Sequence, residues 1–256
     1  MKENYFWHKL HSLTGIIPIG YYLVQHLSLN SFSLGGAEKF NTVVEFFEAL
    51  PTHVILAIKL IVVWIPLIFH AVYGLFITAR GNPNYTNAAY KYRENRYYFM
   101  QRVSGIVAFI FLAYHMTSTS LLAQLRKWNP DYTAEEAIAH IQYESWAEKL
   151  AAPVIGGNET YLILLVYIIG VLASSYHFAY GIWNFCIRWG ITINEKAQQA
   201  TAKLAAAVFV VLSALGILAL VGFYFAPFEK EDPIDVESVT PPVVEAPVEV
   251  EPTVDS

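Results

Sequence analysis

Five long apolar stretches, at about residues 12–34, 53–79, 101–125, 160–187 and 201–227, constrain this chain more than any other feature. Each is long enough to cross a bilayer core of about 30 Å as a helix of roughly 20 or more residues. With 55% hydrophobic and only 14% charged residues, and a mean hydropathy of +0.40, the chain lies outside the soluble globular range. The expected fold class is all-α integral membrane, with five transmembrane helices filling a single domain over residues 1–227. Membrane lipid is the first partner this implies.

The net charge of -5 comes largely from the other end of the chain. Residues 228–256 carry nine carboxylates against the single base Lys230, and five prolines. A segment with so little apolar mass is expected to be a disordered acidic tail. Nothing in the charge distribution suggests nucleic acid as a partner. The lone cysteine, Cys186, excludes an internal disulfide and the C-x-x-C-H attachment of a covalent haem. The first stretch is too long for a cleaved signal peptide and lacks a small-residue cleavage site, so it is expected to be retained.

Four of the stretches hold a histidine well inside them: His26, His70, His115 and His177. Two of these repeat a pattern, His70-Ala-Val-Tyr-Gly-Leu75 and His177-Phe-Ala-Tyr-Gly-Ile182, ten and eleven residues before Arg80 and Arg188. Ionisable groups are costly in hydrocarbon and normally face a bundle interior or a functional site. A single such histidine is read first as a hydrogen-bonding group or proton relay. Four at matched depths point instead to paired imidazoles on facing helices, which hold haem iron.

The connections set the depths. Lys and Arg are rich at the N-terminus (Lys2, Lys9), in the second connection (Arg80, Lys91, Arg93, Arg96, Arg102) and in the fourth (Arg188, Lys196, Lys203), whereas the first and third are acidic. By the positive-inside rule the N-terminus is cytoplasmic and the acidic tail lies outside. His70 and His177 then share an inner level and His26 and His115 an outer one, roughly 10–15 Å apart at 1.5 Å per residue. Two stacked b haems would fit, in a bundle formed by four of the five helices.

Gly74 and Gly181, each one turn after a histidine, and Gly15, about three turns before His26, would let a flat macrocycle or another helix come close. Ser12 and Arg188 are the leading propionate donors at the inner edge, ahead of Thr14, Arg102 and Ser104, with Arg126 at the outer edge. Lys59 either snorkels to the interface or meets a propionate or quinone carbonyl. His8 and His11 are expected to be solvated interface residues, and His53 and His140 surface residues. In the outer connections, Phe40, Val43, Val44, Phe47 and Leu50 recur at helical spacing, and Thr133-x-x-Glu136 has the form of a capping box. Both segments are expected to be amphipathic helices on the outer membrane surface, the second carrying Ile138, Ile141 and Trp146. The fifth stretch has no histidine and is assigned to packing.

The run His11-Ser-Leu-Thr-Gly15 leading to His26-Leu-Ser-Leu-Asn30, with Phe69-His70-Ala-Val-Tyr-Gly74, Gln101-Arg-Val-Ser-Gly105 and His115, and His177-Phe-Ala-Tyr-Gly181 before Arg188-Trp-Gly190, resembles the dihaem cytochrome b anchors of succinate dehydrogenase and fumarate reductase. The similarity covers about residues 5 to 226. It implies a five-helix membrane subunit in which His26 and His115 ligate the distal haem, and His70 and His177 the proximal one. It also implies a flavoprotein and an iron–sulfur protein as partners on the cytoplasmic side of a bacterial inner membrane. Quinone, with menaquinone expected, would be reduced near the distal haem, and Glu48 or Glu45 would take part in protonating it. Some fumarate-reducing relatives place a glutamate two residues before the fourth histidine; Ser175 stands there, which leans the expectation toward succinate oxidation. The dicarboxylate chemistry itself belongs to a partner. An alternative keeps the haems in the quinone-linked cytochrome b of a hydrogenase or formate dehydrogenase. Another discards them and makes the histidines a path in a transporter.

Overall fold

The computed structural model describes residues 5–81, 93–131, 133, 136, 139, 141–151 and 159–225. The acidic tail, His140 and Ile138 lie outside them. The described residues are helical, with no strand among them. In chain order the helices are α1 (Tyr5–Ile16), α2 (Pro18–Asn30), α3 (Gly36–Glu48), α4 (Thr52–Ile58), α5 (Ile65–Arg80), α6 (Arg93–Met116), α7 (Leu122–Trp128), α8 (Tyr143–Ala151), α9 (Glu159–Arg188) and α10 (Glu195–Phe225).

Four continuous helical runs among the described residues are long and apolar enough to cross a membrane: Thr52–Arg80, Glu94–Thr119, Leu162–Arg188 and Glu195–Phe225. These fit a multi-pass membrane protein. The first expected span differs, because a turn at Ile17 divides it into α1 and α2. Pro18 has no N–H to give to the preceding turn, so the ladder is interrupted there. The bonds Ile17 N–H to Leu13 O (3.0 Å) and Tyr21 N–H to Ile17 O (3.2 Å) carry the chain past the break.

The run Thr52–Arg80 contains a π-helical segment, Lys59–Trp64, joining α4 to α5. The cause is again a proline: Pro66 cannot donate to Val62, and the Ile65 N–H reaches Leu60 O, five residues back. From within it onward, Ile61, Ile65, Ile68 and Val72 form an exposed apolar stripe at spacings of four and three. Such a stripe is the face a spanning helix gives to lipid. A second π segment, Thr117–Leu121, follows His115, where Thr119 Oγ1 donates back to His115 O at 2.6 Å.

α9 ends on Arg188 and reverses through Gly190, whose φ of 70° suits glycine, with Ile191 N–H returning to Cys186 O at 2.8 Å. Asn194 then caps α10 by accepting from Ala197 N–H at 2.9 Å.

The outer connections are helical as expected, but their apolar faces do not lie on lipid. Phe40 of α3 and Tyr143, Ala147 and Leu150 of α8 are buried in one cluster with Tyr167, Val171, Leu220 and Phe223 of α9 and α10. Phe40 meets Phe223 at 4.9 Å between ring centroids, Tyr143 donates its hydroxyl to Gly222 O at 2.8 Å, and Ser33 donates to Ala219 O at 2.8 Å. Asn41 ties the two connections together, donating to Glu144 at 3.1 Å and accepting from Tyr143 N–H at 2.9 Å. The same amphipathic pattern serves either fate.

The Thr133 capping box forms: Glu136 accepts from Thr133 N–H at 2.8 Å and donates its own N–H to Thr133 Oγ1 at 3.1 Å. The bonds its carboxylate accepts from the Thr133 N–H and hydroxyl hold the exposed Glu136 carboxyl below the usual carboxylate range. Trp146 belongs to the separate helix α8, beyond a turn at Ile141 and Gln142.

Candidate functional site

His70 on α5 and His177 on α9 meet across the bundle with ring centroids 6.0 Å apart and planes at 83°. Toward the other end, His26 on α2 and His115 on α6 meet at 5.7 Å and 69°. All four line one cavity of about 1010 Å³ that runs the length of the bundle among mostly apolar side chains. The pairing is the one expected from depth.

The inner rings are fixed by the backbone of neighbouring helices. His70 Nδ1 lies 2.9 Å from His11 O, and His177 Nδ1 lies 2.9 Å from Gln101 O. A carbonyl oxygen only accepts, so each Nδ1 carries the proton and each Nε2 keeps its lone pair. That is the tautomer a metal-bound imidazole needs. Room for the rings comes from glycines: a Cβ on Gly15 would sit 2.5 Å from His70 Cε1, and one on Gly105 2.7 Å from His177 Cε1. In the outer pair, His115 Nδ1 lies 3.3 Å from the Tyr167 hydroxyl. The Asn30 amide, one turn after His26, lies 3.4 Å from His26 Nδ1.

His11 does not sit in solvent. Its ring stacks on that of His70 at 4.0 Å and 9°, and it lines the cavity. The signal was present in the sequence, because His11-x-x-x-Gly15 and Gln101-x-x-x-Gly105 share a spacing, yet only the glycines look unusual in apolar surroundings.

Ser12 and Arg188 both line the inner end of the cavity. Ser12 gives its proton to Lys9 O at 2.9 Å and accepts from Trp189 Nε1 at 3.0 Å, whereas Arg188 Nη1 lies 3.4 Å from His8 Nδ1. Arg102 lines the cavity and donates to the Tyr98 hydroxyl at 2.7 Å. Thr14 and Ser104 turn to their own helix carbonyls, His11 O and Gln101 O. Trp189, which ties the end of α9 to α1, was not anticipated.

At the outer end, Glu48, Lys59 and Lys127 line the cavity. Glu48 and Lys127 form an ion pair that joins the first outer connection to α7, each about one-fifth exposed (21% and 22%). Glu45, one turn earlier on α3, is exposed and off the cavity. Ser175 is fully buried, with its hydroxyl unpartnered.

The chain is 34% identical over 224 residues to the succinate dehydrogenase cytochrome b558 subunit of Bacillus subtilis (strain 168), a match covering 87% of this chain and 98% of that protein. It belongs to that family. No family model matches the sequence. As a succinate dehydrogenase cytochrome b homologue with apolar spanning helices, it is a membrane subunit of an oxidoreductase complex.

Proposed function

We propose that this chain is the membrane anchor and electron-transfer subunit of a succinate:quinone oxidoreductase, holding two b haems between its histidine pairs. The observation that carries the reading is the pairing itself: two sets of facing imidazoles along one cavity. With ring centroids 5.7 and 6.0 Å apart, each pair would hold one metal between two imidazoles. No group of three or more His, Cys, Asp or Glu able to hold a metal ion occurs among the described residues. A bare ion usually wants three or four protein ligands. Each pair would instead suit the iron of a haem, His70 with His177 holding one and His26 with His115 the other.

Haem b, when bound, supplies a one-electron carrier. The protein's part is to fix tautomer and ring orientation through His11 O and Gln101 O, to give a dry apolar wall, and to place a cation, Arg188, at the inner mouth for the propionates. Ser12 would add to that mouth only by giving up its bond to Lys9.

Five spans are counted by taking α1 and α2 as one bent crossing. With the basic ends of α1, α5 and α9 inward, the N-terminus is cytoplasmic and the tail is outside. The flavoprotein and iron–sulfur partners of the complex dock on the inner face. Quinone, with menaquinone expected, is reduced at the outer end, where Glu48 delivers protons and Lys127, its ion-pair partner, holds the carboxylate in place. Kinship to a succinate dehydrogenase subunit weighs against the hydrogenase and formate dehydrogenase alternative.

The test is haem stoichiometry in the assembled complex. Replacing His70 or His177 with alanine should remove one haem and loosen the soluble subunits; replacing His26 or His115 should remove the other. Two haems in any of these variants would overturn the assignment.

A further inference from the structure

The helix pairs α1/α5 and α6/α9 build the inner site twice over. In the first, His11 O receives His70 Nδ1–H, Gly15 makes room for the His70 ring, and a Cβ on Gly74 would lie 3.1 Å from His11 Nε2. In the second, Gln101 O receives His177 Nδ1–H, Gly105 makes room for the His177 ring, and a Cβ on Gly181 would lie 3.4 Å from Gln101 Nε2. Every position has its counterpart: His11 with Gln101, Gly15 with Gly105, His70 with His177, Gly74 with Gly181. The sequence repeats accordingly, His-Ser-Leu-Thr-Gly against Gln-Arg-Val-Ser-Gly and His-Ala-Val-Tyr-Gly against His-Phe-Ala-Tyr-Gly.

One element breaks the repeat. Gln101 Nε2 donates to His177 O at 2.8 Å, a reciprocal bond that clamps α6 to α9 at the ligand. His11 instead lays its ring flat on His70, at 4.0 Å and 9°, with Nε2 buried and unpartnered in the protein. A ring in parallel contact on one face stops its neighbour from rotating about Cβ–Cγ. The His70 and His177 planes, at 83°, are therefore held by two different devices.

We infer that His11 and Gln101 are equivalent positioning residues of the inner site, and that His11, through its stacked ring, sets the orientation of His70 against His177. This rests on the proposed ligation of haem by that pair. The angle between two axial imidazole planes governs the splitting of the iron d orbitals, and so the low-spin ferric signal, which makes the orientation measurable without turnover.

The experiment is electron paramagnetic resonance of the oxidised, assembled complex, with haem content, for the wild type, His11→Ala, His11→Gln and His70→Ala. In His11→Ala both haems should stay, while the signal lost in His70→Ala shifts and the other does not. In His11→Gln, which installs the residue of the other half, both haems should stay and the inner signal should move less than in His11→Ala. An unshifted inner signal in His11→Ala, or an equal shift of both signals, overturns the inference. If His11→Ala fails to assemble, His11→Gln decides: loss of the inner haem there refutes equivalence, and its retention supports it. Failure of the ligation reading would show differently, as an unchanged spectrum in His70→Ala.

Discussion

The hydroxyl of Tyr167 on α9 lies 3.3 Å from Nδ1 of His115 on α6, in a pocket closed by Phe111 and Trp146. With Nε2 turned to a metal, Nδ1 carries the proton and the phenol oxygen accepts it, which makes the ring a stronger electron donor. Tyr167→Phe removes that acceptor without changing the ring's shape. The outer haem is expected to stay in place and to titrate at a higher potential, with the inner one unmoved. Redox titration of the haem spectrum checks both.

Gly105 and Gly15 admit the ligand rings of the inner pair. In Gly105→Ala the new methyl would stand 2.7 Å from His177 Cε1, closer than carbon atoms approach, and Gln101 fixes the ring so that it has nowhere to go. The expected result is loss of the inner haem with retention of the outer one. A pyridine haemochrome assay giving about half the haem per complex would bear it out.

The outer cluster depends on close contact between α10 and the turn after α2. A methyl group at Gly222 would fall 2.6 Å from Leu34 N, a backbone atom that cannot yield as a side chain can. Overpacking of this kind costs about 1–3 kcal/mol. Gly222→Ala is expected to lower the thermal midpoint of the complex, whereas Leu218→Ala, on the exposed face of the same helix, should change stability by only about 0.5 kcal/mol.

Glu48 is the carboxylate at the outer end of the cavity, held by Lys127. Removing its charge keeps the shape and would end the proton delivery proposed for it, so Glu48→Gln should slow quinone reduction by a factor of about 100. Both haems should remain. The check pairs steady-state turnover with haem content, and unchanged turnover would put protonation elsewhere.

Much of this arrangement could be read from the chain. Apolar length gave the helices, and the basic connections ordered the histidines into the pairs His26/His115 and His70/His177. What escaped depended on contacts between distant segments. Phe40 and Tyr143 show helical apolar spacing whether they face lipid or α10. His11 looks like a boundary residue until its ring is seen against His70. The break before Pro18 was hidden because a proline near the start of an apolar stretch reads equally as a first helical turn. Trp189 stood next to Arg188, yet only the fold brings its N–H to Ser12, 177 residues earlier.

The interruption at Ile17 falls between His11, whose carbonyl steadies the inner pair, and His26, which belongs to the outer one. A single rigid rod would transmit any tilt at its N-terminal end straight to the far imidazole. Two short rods joined at a hinge do not. The setting of the His70/His177 pair is thus mechanically separated from that of the His26/His115 pair, so each end keeps its own alignment.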